Sequence, residues 1–228
     1  MSVSENIKDI KQRIAQAAQR CGRSAEDIQL IAVTKTLPIT VLQEAYQCGL
    51  RHFGESRAQE FRDKIHVLPE DTVWHFIGHL QTNKIKYVIP SCVLMHSLDS
   101  MHLANTISEF CEKKHITRSF LLEVKTSDEA TKFGFDPDEA VESYVTISEF
   151  SHIQLQGLMT IAPFVDDINQ IRNSFRKLRE IRDDIYKRIG RHQTLELSMG
   201  MSQDYEIAIE EGSTMVRIGT SLFGPRGR

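Results

Sequence analysis

The chain alternates short apolar runs with longer amphipathic segments along almost its entire length. Eight runs have the length and apolar character of buried strands, and they span residues 29–33, 51–54, 73–78, 93–97, 119–124, 153–161, 194–198 and 215–218. Segments with helical spacing of apolar residues lie between them, at residues 39–48, 57–67, 82–89, 101–115, 137–150, 167–189 and 204–211. This alternation is typical of a parallel sheet whose strands are joined by crossover helices.

A further amphipathic helix is predicted ahead of the first strand, at about residues 4–21. Ile7, Ile10 and Ile14 recur there at three- and four-residue steps, and Gly22 ends the pattern. With this additional N-terminal helix, eight strands close naturally into a (β/α)8 TIM barrel. No linker or repeat divides the sequence, so we predict a single α/β domain over residues 1–228. A doubly wound open sheet is the alternative fold.

Composition excludes several classes of protein. Hydrophobic residues make up 40% of the chain, and the net charge of −3 creates no general attraction for nucleic acid. The basic segment 172–191 is interrupted by acidic residues and carries an apolar stripe, so we interpret it as a solvated helix. The four cysteines are too widely spaced for a zinc site or a disulfide framework. Because signal-peptide and membrane-span patterns are also missing, we expect a cytoplasmic protein without metal or membrane partners.

Polar residues follow the predicted strands, where a barrel of this kind places its functional groups. They are Lys35, Glu55, Ser56, His79, Ser97, Lys125, Thr160, Ser198, Gly219 and Thr220. In the stretch LIAVTKT, four apolar residues precede Lys35 almost directly. A lysine at a strand end is usually an ordinary surface group. When it is desolvated, however, its amine can form a Schiff base with an aldehyde.

Two segments near the C-terminus predict a phosphate site. LSMGMSQDYE and VRIGTSLFG both place Gly beside Ser or Thr where a strand stops. Glycine lets the backbone approach an anion closely, and the hydroxyls supply hydrogen-bond donors. A phosphate beside a lysine points to pyridoxal phosphate, whose ring nitrogen needs a protein partner. Arg217 is a candidate for that partner, and a salt bridge inside or at the rim of the barrel is its alternative reading.

Two further residues near the predicted mouth keep two readings each. His79 either contacts a ligand or caps the next helix. Met199 either lies against the cofactor ring or fills space between strand and helix. Strand alternation also predicts that His75 faces the opposite side of its strand from Trp74 and Phe76.

Several motifs together resemble a known family. AVTKT, FGES, WHFIGHLQTNK, TKFGF, GLMTIAP and SMGMSQDYEIAIEEGSTMVRIGTSLFG occur in the order and spacing of the pyridoxal phosphate homeostasis protein family. That family is similar in fold to the N-terminal barrel of alanine racemase, a fold type III pyridoxal phosphate protein. The resemblance covers about residues 3–225. It implies intracellular cofactor homeostasis, with apo enzymes that require pyridoxal phosphate as candidate recipients.

The resemblance also assigns roles to individual residues. It implies that Lys35 carries the cofactor as a Schiff base, that Ser198, Gly219 and Thr220 hold its phosphate, and that Arg217 faces the pyridine nitrogen. The chain departs from the family pattern at Ser56, where Asn is usual, and at Lys125 and Asp128, where Asn and Gly are usual. These departures affect possible contacts to the ring and the shape of the mouth.

Three functions follow from these observations: a cofactor carrier or regulator, an amino-acid racemase, and a phosphate-binding barrel enzyme without a covalent cofactor. Racemisation needs proton transfer on both faces of the substrate. Alanine racemase supplies a tyrosine from a second domain, which we expect to be absent here. A guanidinium at position Arg217 would also leave the ring nitrogen unprotonated, which weakens the ring as an electron sink. We therefore expect little or no catalysis, with racemisation as the alternative.

Overall fold

A computed structural model describes residues 2–127, 133–190 and 194–224 of the chain. Within these residues, eight parallel strands form a closed barrel in sequence order. The strands are β1 Gln29–Val33, β2 His52–Glu55, β3 Val73–Phe76, β4 Leu94–Leu98, β5 Arg118–Glu123, β6 Ile153–Met159, β7 Glu196–Ser198 and β8 Met215–Ile218. The (β/α)8 prediction is confirmed. The open-sheet alternative is wrong, because β8 pairs back onto β1 from Gln29↔Met215 to Ala32↔Ile218.

Helices surround the barrel. They are α1 Val3–Arg20, α2 Ile39–Gln47, α3 Ala58–Lys64, α4 Ile85–Val88, α5 Met101–Lys114, α6 Pro137–Ser148, α7 Ile168–Ile189, α8 Tyr205–Glu210 and α9 Thr220–Phe223. The predicted helix at 82–89 is split, because a 3-10 turn at Thr82–Lys84 precedes α4. Helix α9 was not predicted, since four residues are too short to show a helical period. Among the described residues, no helix has the length and apolar character to span a membrane.

Helix α1 begins with a capping box, in which the Ser2 hydroxyl accepts from the Glu5 N–H and the Glu5 carboxylate accepts from the Ser2 N–H. Its apolar stripe is buried, and the helix packs against α8 and α9. Arg13 donates to Glu206 of α8 at 2.6 Å. The additional N-terminal helix therefore braces the part of the wall that follows β7 and β8.

Side chains alternate between the two faces of the strands. On the outer face, Trp74 and Phe76 pack edge-on against Phe61 of α3, with ring centroids 6.1 and 5.9 Å away. His75 points inward, where its ring contacts that of His96. The predicted opposition of His75 to Trp74 and Phe76 is confirmed. At β3 the barrel interior thus carries a polar group, while Trp74 and Phe76 face apolar packing between the strand and α3.

Candidate functional site

The turn that carries Lys35 has a constrained backbone. Lys35 follows β1 and is half-buried. The next residue, Thr36, has φ of 65°, a left-handed conformation that costs a non-glycine residue about 1–2 kcal/mol. The Thr36 N–H donates to Glu60 Oε2 at 2.7 Å. A carboxylate on α3 therefore holds the backbone directly beside Lys35.

A buried ammonium completes this support. Lys64 Nζ donates to the Thr34 carbonyl at 2.8 Å, to Glu55 Oε2 at 2.9 Å and to Glu60 Oε2 at 2.6 Å. Lys64 is only 6% exposed and Glu55 is fully buried. Burial opposes ionisation of Glu60, but hydrogen bonds from Lys64 and from the backbone lower the pKa of this carboxyl. One charged network thus fixes the residues on both sides of Lys35.

Arg217 and Ser198 meet inside the barrel, at the carboxyl ends of β8 and β7. Arg217 Nη1 donates to Ser198 Oγ at 2.6 Å, and Nη2 donates to the Thr160 carbonyl at 2.9 Å. Burial lowers the pKa of Arg217 to about 10, while Glu123 and Asp204 act in the opposite direction. The guanidinium therefore stays charged at neutral pH, at the base of the mouth.

The two predicted phosphate segments lie side by side. The Ser221 N–H donates to Ser202 Oγ at 3.2 Å, which joins the loop after β7 to the start of α9. Gly200 has φ of 94°, and a Cβ there would lie 2.6 Å from Ala208 Cβ, so this loop requires glycine. Thr220 is exposed, and in the described part of the chain its hydroxyl and N–H have no hydrogen-bond partner. These donors remain available to an anion.

His79 and Met199 lie in different surroundings. His79 Nδ1 is 2.6 Å from Asp99 Oδ2, and the imidazole stacks on Phe133 with centroids 3.8 Å apart. His79 is therefore oriented at the rim by a carboxylate. Met199 is fully buried within the main hydrophobic core. That position favours the packing alternative, and cofactor contact by either residue stays a prediction.

The structure brings together Ser198 with Arg217, and it joins the Gly219–Thr220 segment to the loop after β7. Lys35 and His79 stand after β1 and β3, at the same end of the barrel. Among the departures from the family pattern, Lys125 pairs with Asp136 at 3.4 Å. Asp128 lies outside the described residues.

Sequence analysis missed two groups of residues near this site. The first is the Lys64 network, because a lysine and a glutamate four residues apart on a helix usually face solvent. The second is a row of inward-facing histidines, His52, His75 and His96, that leads to Ser198. The strand alternation around His75 was a signal for this row, since it placed an ionisable group inside the barrel.

The residues at the mouth fit pyridoxal phosphate. Lys35 offers an amine for the aldehyde, and Thr220 offers donors for the phosphate. Arg217 offers a donor to an unprotonated ring nitrogen, because a guanidinium has no acceptor. The donor set therefore matches the three functional groups of this cofactor.

Comparisons with known proteins identify the family of the chain. The family described as alanine racemase, N-terminal domain, matches residues 6–227. Pyridoxal phosphate homeostasis protein of Aquifex aeolicus is 43% identical over 99% of both chains. The protein of the same name from Vibrio cholerae is 39% identical over 99% of this chain and 97% of its own length.

Solved structures show the same fold. PipY of Synechococcus elongatus, determined with PLP bound, has a TM-score of 0.85 and 32% identity, covering 98% of this chain and all of its own. A Bifidobacterium adolescentis protein described only as unknown has a TM-score of 0.93 and 39% identity, covering 97% and 94%. Alanine racemase of Clostridium difficile shares the fold at 15% identity, with a TM-score of 0.76 and 58% of its length covered. The chain belongs to the pyridoxal phosphate homeostasis protein family, whose barrel is that of the alanine racemase N-terminal domain.

Proposed function

We propose that this protein binds pyridoxal phosphate at the barrel mouth, holds it as a Schiff base on Lys35, and acts as a carrier or regulator in cofactor homeostasis. The observation that carries the proposal is the fixed turn around Lys35, where Glu60 and Lys64 hold Thr36 and Thr34. A fixed backbone orients the Lys35 side chain toward the mouth at lower entropic cost when the cofactor arrives, which favours binding. PipY, which was determined with PLP bound, supports binding of this cofactor by a relative with the same fold.

Each residue contributes a distinct interaction in this proposal. Pyridoxal phosphate supplies an electrophilic aldehyde and an electron-withdrawing ring when bound. The Lys35 amine would condense with the aldehyde, whose oxygen leaves as water, and the Gly219 and Thr220 segment would donate to the phosphate oxygens. Arg217 donates to the ring nitrogen and keeps its own proton. Because the ring is left unprotonated, electron withdrawal is weak, which suits retention of the cofactor better than catalysis.

Racemisation remains the alternative function. It requires an acid or base opposite Lys35, and the five tyrosines all lie in helices, at Tyr46, Tyr87, Tyr144, Tyr186 and Tyr205. The observation that favours a base at the mouth is the pairing of His79 with Asp99 at 2.6 Å. A carboxylate that orients an imidazole in this way is a common arrangement for proton transfer. His79 would therefore be the second base.

The anchor can be tested by absorbance and mass spectrometry. The purified protein with pyridoxal phosphate is expected to show a Schiff-base band that borohydride removes, leaving the cofactor attached to the Lys35 peptide. Lys35→Ala should lose the band and keep its fold, since the side chain is half-buried at the mouth and lies outside the buried core. Lys125→Ala is the matched control and should keep the band. A borohydride-reducible band in Lys35→Ala would place the anchor on another lysine.

A further inference from the structure

Three histidines form a continuous hydrogen-bonded row through the interior of the barrel. His52 Nδ1 lies 3.0 Å from His75 Nε2, and His75 Nδ1 lies 2.9 Å from His96 Nε2. The row ends where His96 Nδ1 lies 2.8 Å from Ser198 Oγ. Every one of these separations is a normal hydrogen-bond length.

The row extends along the barrel interior from the amino-terminal to the carboxyl-terminal ends of the strands. His52 is the first residue of β2 and pairs in register with Val73 on β3. His75 lies two residues beyond Val73 and pairs with Leu94 on β4, and His96 lies two residues beyond Leu94. Each histidine therefore stands one inward position above the previous one. The row starts at the amino-terminal end of the strands and reaches the last residue of β7 at the mouth.

The three imidazoles are neutral at physiological pH. Burial lowers the pKa of His75 to about 3, and burial also lowers the pKa of His96 well below its usual range. Partial burial also lowers the pKa of His52. The nitrogens meet end to end in pairs, and among the described residues no cluster of His, Cys, Asp or Glu could hold a metal ion. Apolar side chains usually fill such an interior. A row of three polar side chains there is therefore unusual and indicates a functional role.

Neutral imidazoles impose one direction on the whole row. Each has one N–H donor and one acceptor nitrogen, and both nitrogens of His75 and of His96 are engaged. All links must therefore point the same way. Either every histidine carries its proton on Nδ1 and donates toward Ser198, or every one carries it on Nε2. Arg217 only donates to Ser198 Oγ, so it permits both states.

We propose that His52, His75 and His96 form a proton relay that connects solvent at the amino-terminal end of the barrel with Ser198 at the mouth. In the first state, the Ser198 hydroxyl is free to donate to an acceptor at the mouth. In the second state, it donates back to His96. The relay rests on the proposed function only for the identity of that acceptor. The acceptor would be an oxyanion or base of the bound cofactor or its substrate.

Passage of one proton converts the first state into the second. Ser198 Oγ gives its proton to the acceptor and takes the proton from His96 Nδ1. His96 Nε2 takes the proton from His75 Nδ1, and His75 Nε2 takes the proton from His52 Nδ1. His52 Nε2 then takes a proton from water at the open end. One proton enters, one leaves, and all three imidazoles change tautomer together.

Hydrogen exchange measured by NMR tests the relay without cofactor. In the full chain labelled with nitrogen-15 in histidine, the imidazole protons of His75 and His96 should exchange with water about tenfold or more faster than the backbone amides of the same two residues. The nitrogen shifts should also place the proton on the same ring nitrogen in all three histidines. His52→Asn retains a hydrogen-bonding group near Nδ1 but cannot pass a proton, so exchange at both inner histidines should fall about tenfold.

The controls separate the relay from a structural role. His102→Asn makes the same change on the exposed surface of α5 and should leave the exchange rates unaltered. His75→Gln interrupts the row at its middle and should slow exchange at His96 while His52 is unaffected. Three results would each overturn the proposal. They are imidazole exchange as slow as that of the neighbouring amides, unchanged rates in His52→Asn, and protons on different ring nitrogens at different positions of the row. These outcomes do not depend on whether pyridoxal phosphate binds.

Discussion

Replacing Lys64 with methionine tests the network that fixes the Lys35 turn. Methionine has a similar length and flexibility, so it keeps the apolar packing of the lysine stem and removes only the ammonium. Three hydrogen bonds are lost, to the Thr34 carbonyl, to Glu55 and to Glu60. Glu60 retains its contact with the Thr36 N–H, but the link between the two sides of the turn disappears.

The size of the effect follows from burial. Glu55 has no exposed surface, so Lys64→Met leaves a buried carboxylate without its cationic partner. The Thr34 hydroxyl and the Ser56 N–H still donate to Glu55, at 3.1 and 2.8 Å, but loss of one partner of a buried ion pair costs about 3–5 kcal/mol. Glu60 has a side chain that is 23% exposed and can turn toward water. In a chain of this length each kcal/mol lowers Tm by about 2–4 °C, so a fall of about 6–20 °C is expected.

Denaturant unfolding followed by the fluorescence of Trp74 measures this loss. Lys113→Met is the matched control, because Lys113 is 77% exposed and lies 4.0 Å from Glu109, and it should change stability by less than about 0.5 kcal/mol. Adding Glu55→Gln to Lys64→Met should recover part of the loss, since the buried charge is removed. A loss below about 1 kcal/mol in Lys64→Met would refute the reasoning, because it would mean that the hydrogen bonds from Thr34 and Ser56 are enough to stabilise the buried Glu55 carboxylate.

Three further predictions concern the cofactor and the ion pairs. Thr220→Val should weaken retention of pyridoxal phosphate by about 1–3 kcal/mol, measured by equilibrium dialysis, whereas equal affinity would place the phosphate elsewhere. Deuterium should enter the α-position of amino acids slowly or not at all while the cofactor passes to an apo enzyme, and turnover near ~10 s⁻¹ would support a racemase. A hydrogen bond from Arg172 lowers the pKa of Glu210 below its ordinary value of 4.5, although burial opposes it. Ionised Glu210 therefore stabilises the fold above pH 4.5, and this stabilisation is lost as the pH falls through the lower pKa of Glu210 in the folded state. On acidification, the Tm of Glu210→Gln should therefore fall less than that of the wild type.

The polar groups of this barrel are divided between its two faces. The Lys64 network lies outside the strands, behind Lys35, while the histidine row and Arg217 lie inside. The residues that hold the Lys35 turn are therefore separate from the histidine row that leads to Ser198. Variants of Lys64 should leave hydrogen exchange along the histidine row unchanged. This separation makes the stability test and the relay test independent.

The sequence by itself determined the barrel and the placement of its strand ends. Hydrophobic periodicity is a local property, so the eight strands and the position of Lys35 after β1 could be predicted from neighbouring residues. The motifs around Ser198, Arg217 and Gly219 were equally local, because each lies within a few residues of the end of β7 or β8. The sequence pattern did not reveal α9, because a helix of a single turn has no period.

Only the tertiary structure decided which side chains meet. The histidine row joins residues 23, 21 and 102 positions apart in the chain, and its continuity depends on strand register and on closure of β1 with β8. Lys64 likewise looked like a helix residue in solvent until the packing of α3 placed its ammonium beside the buried Glu55. Register and packing are set by the whole core at once, because moving one strand by a single residue turns every inward side chain outward. Local sequence patterns carry no such information.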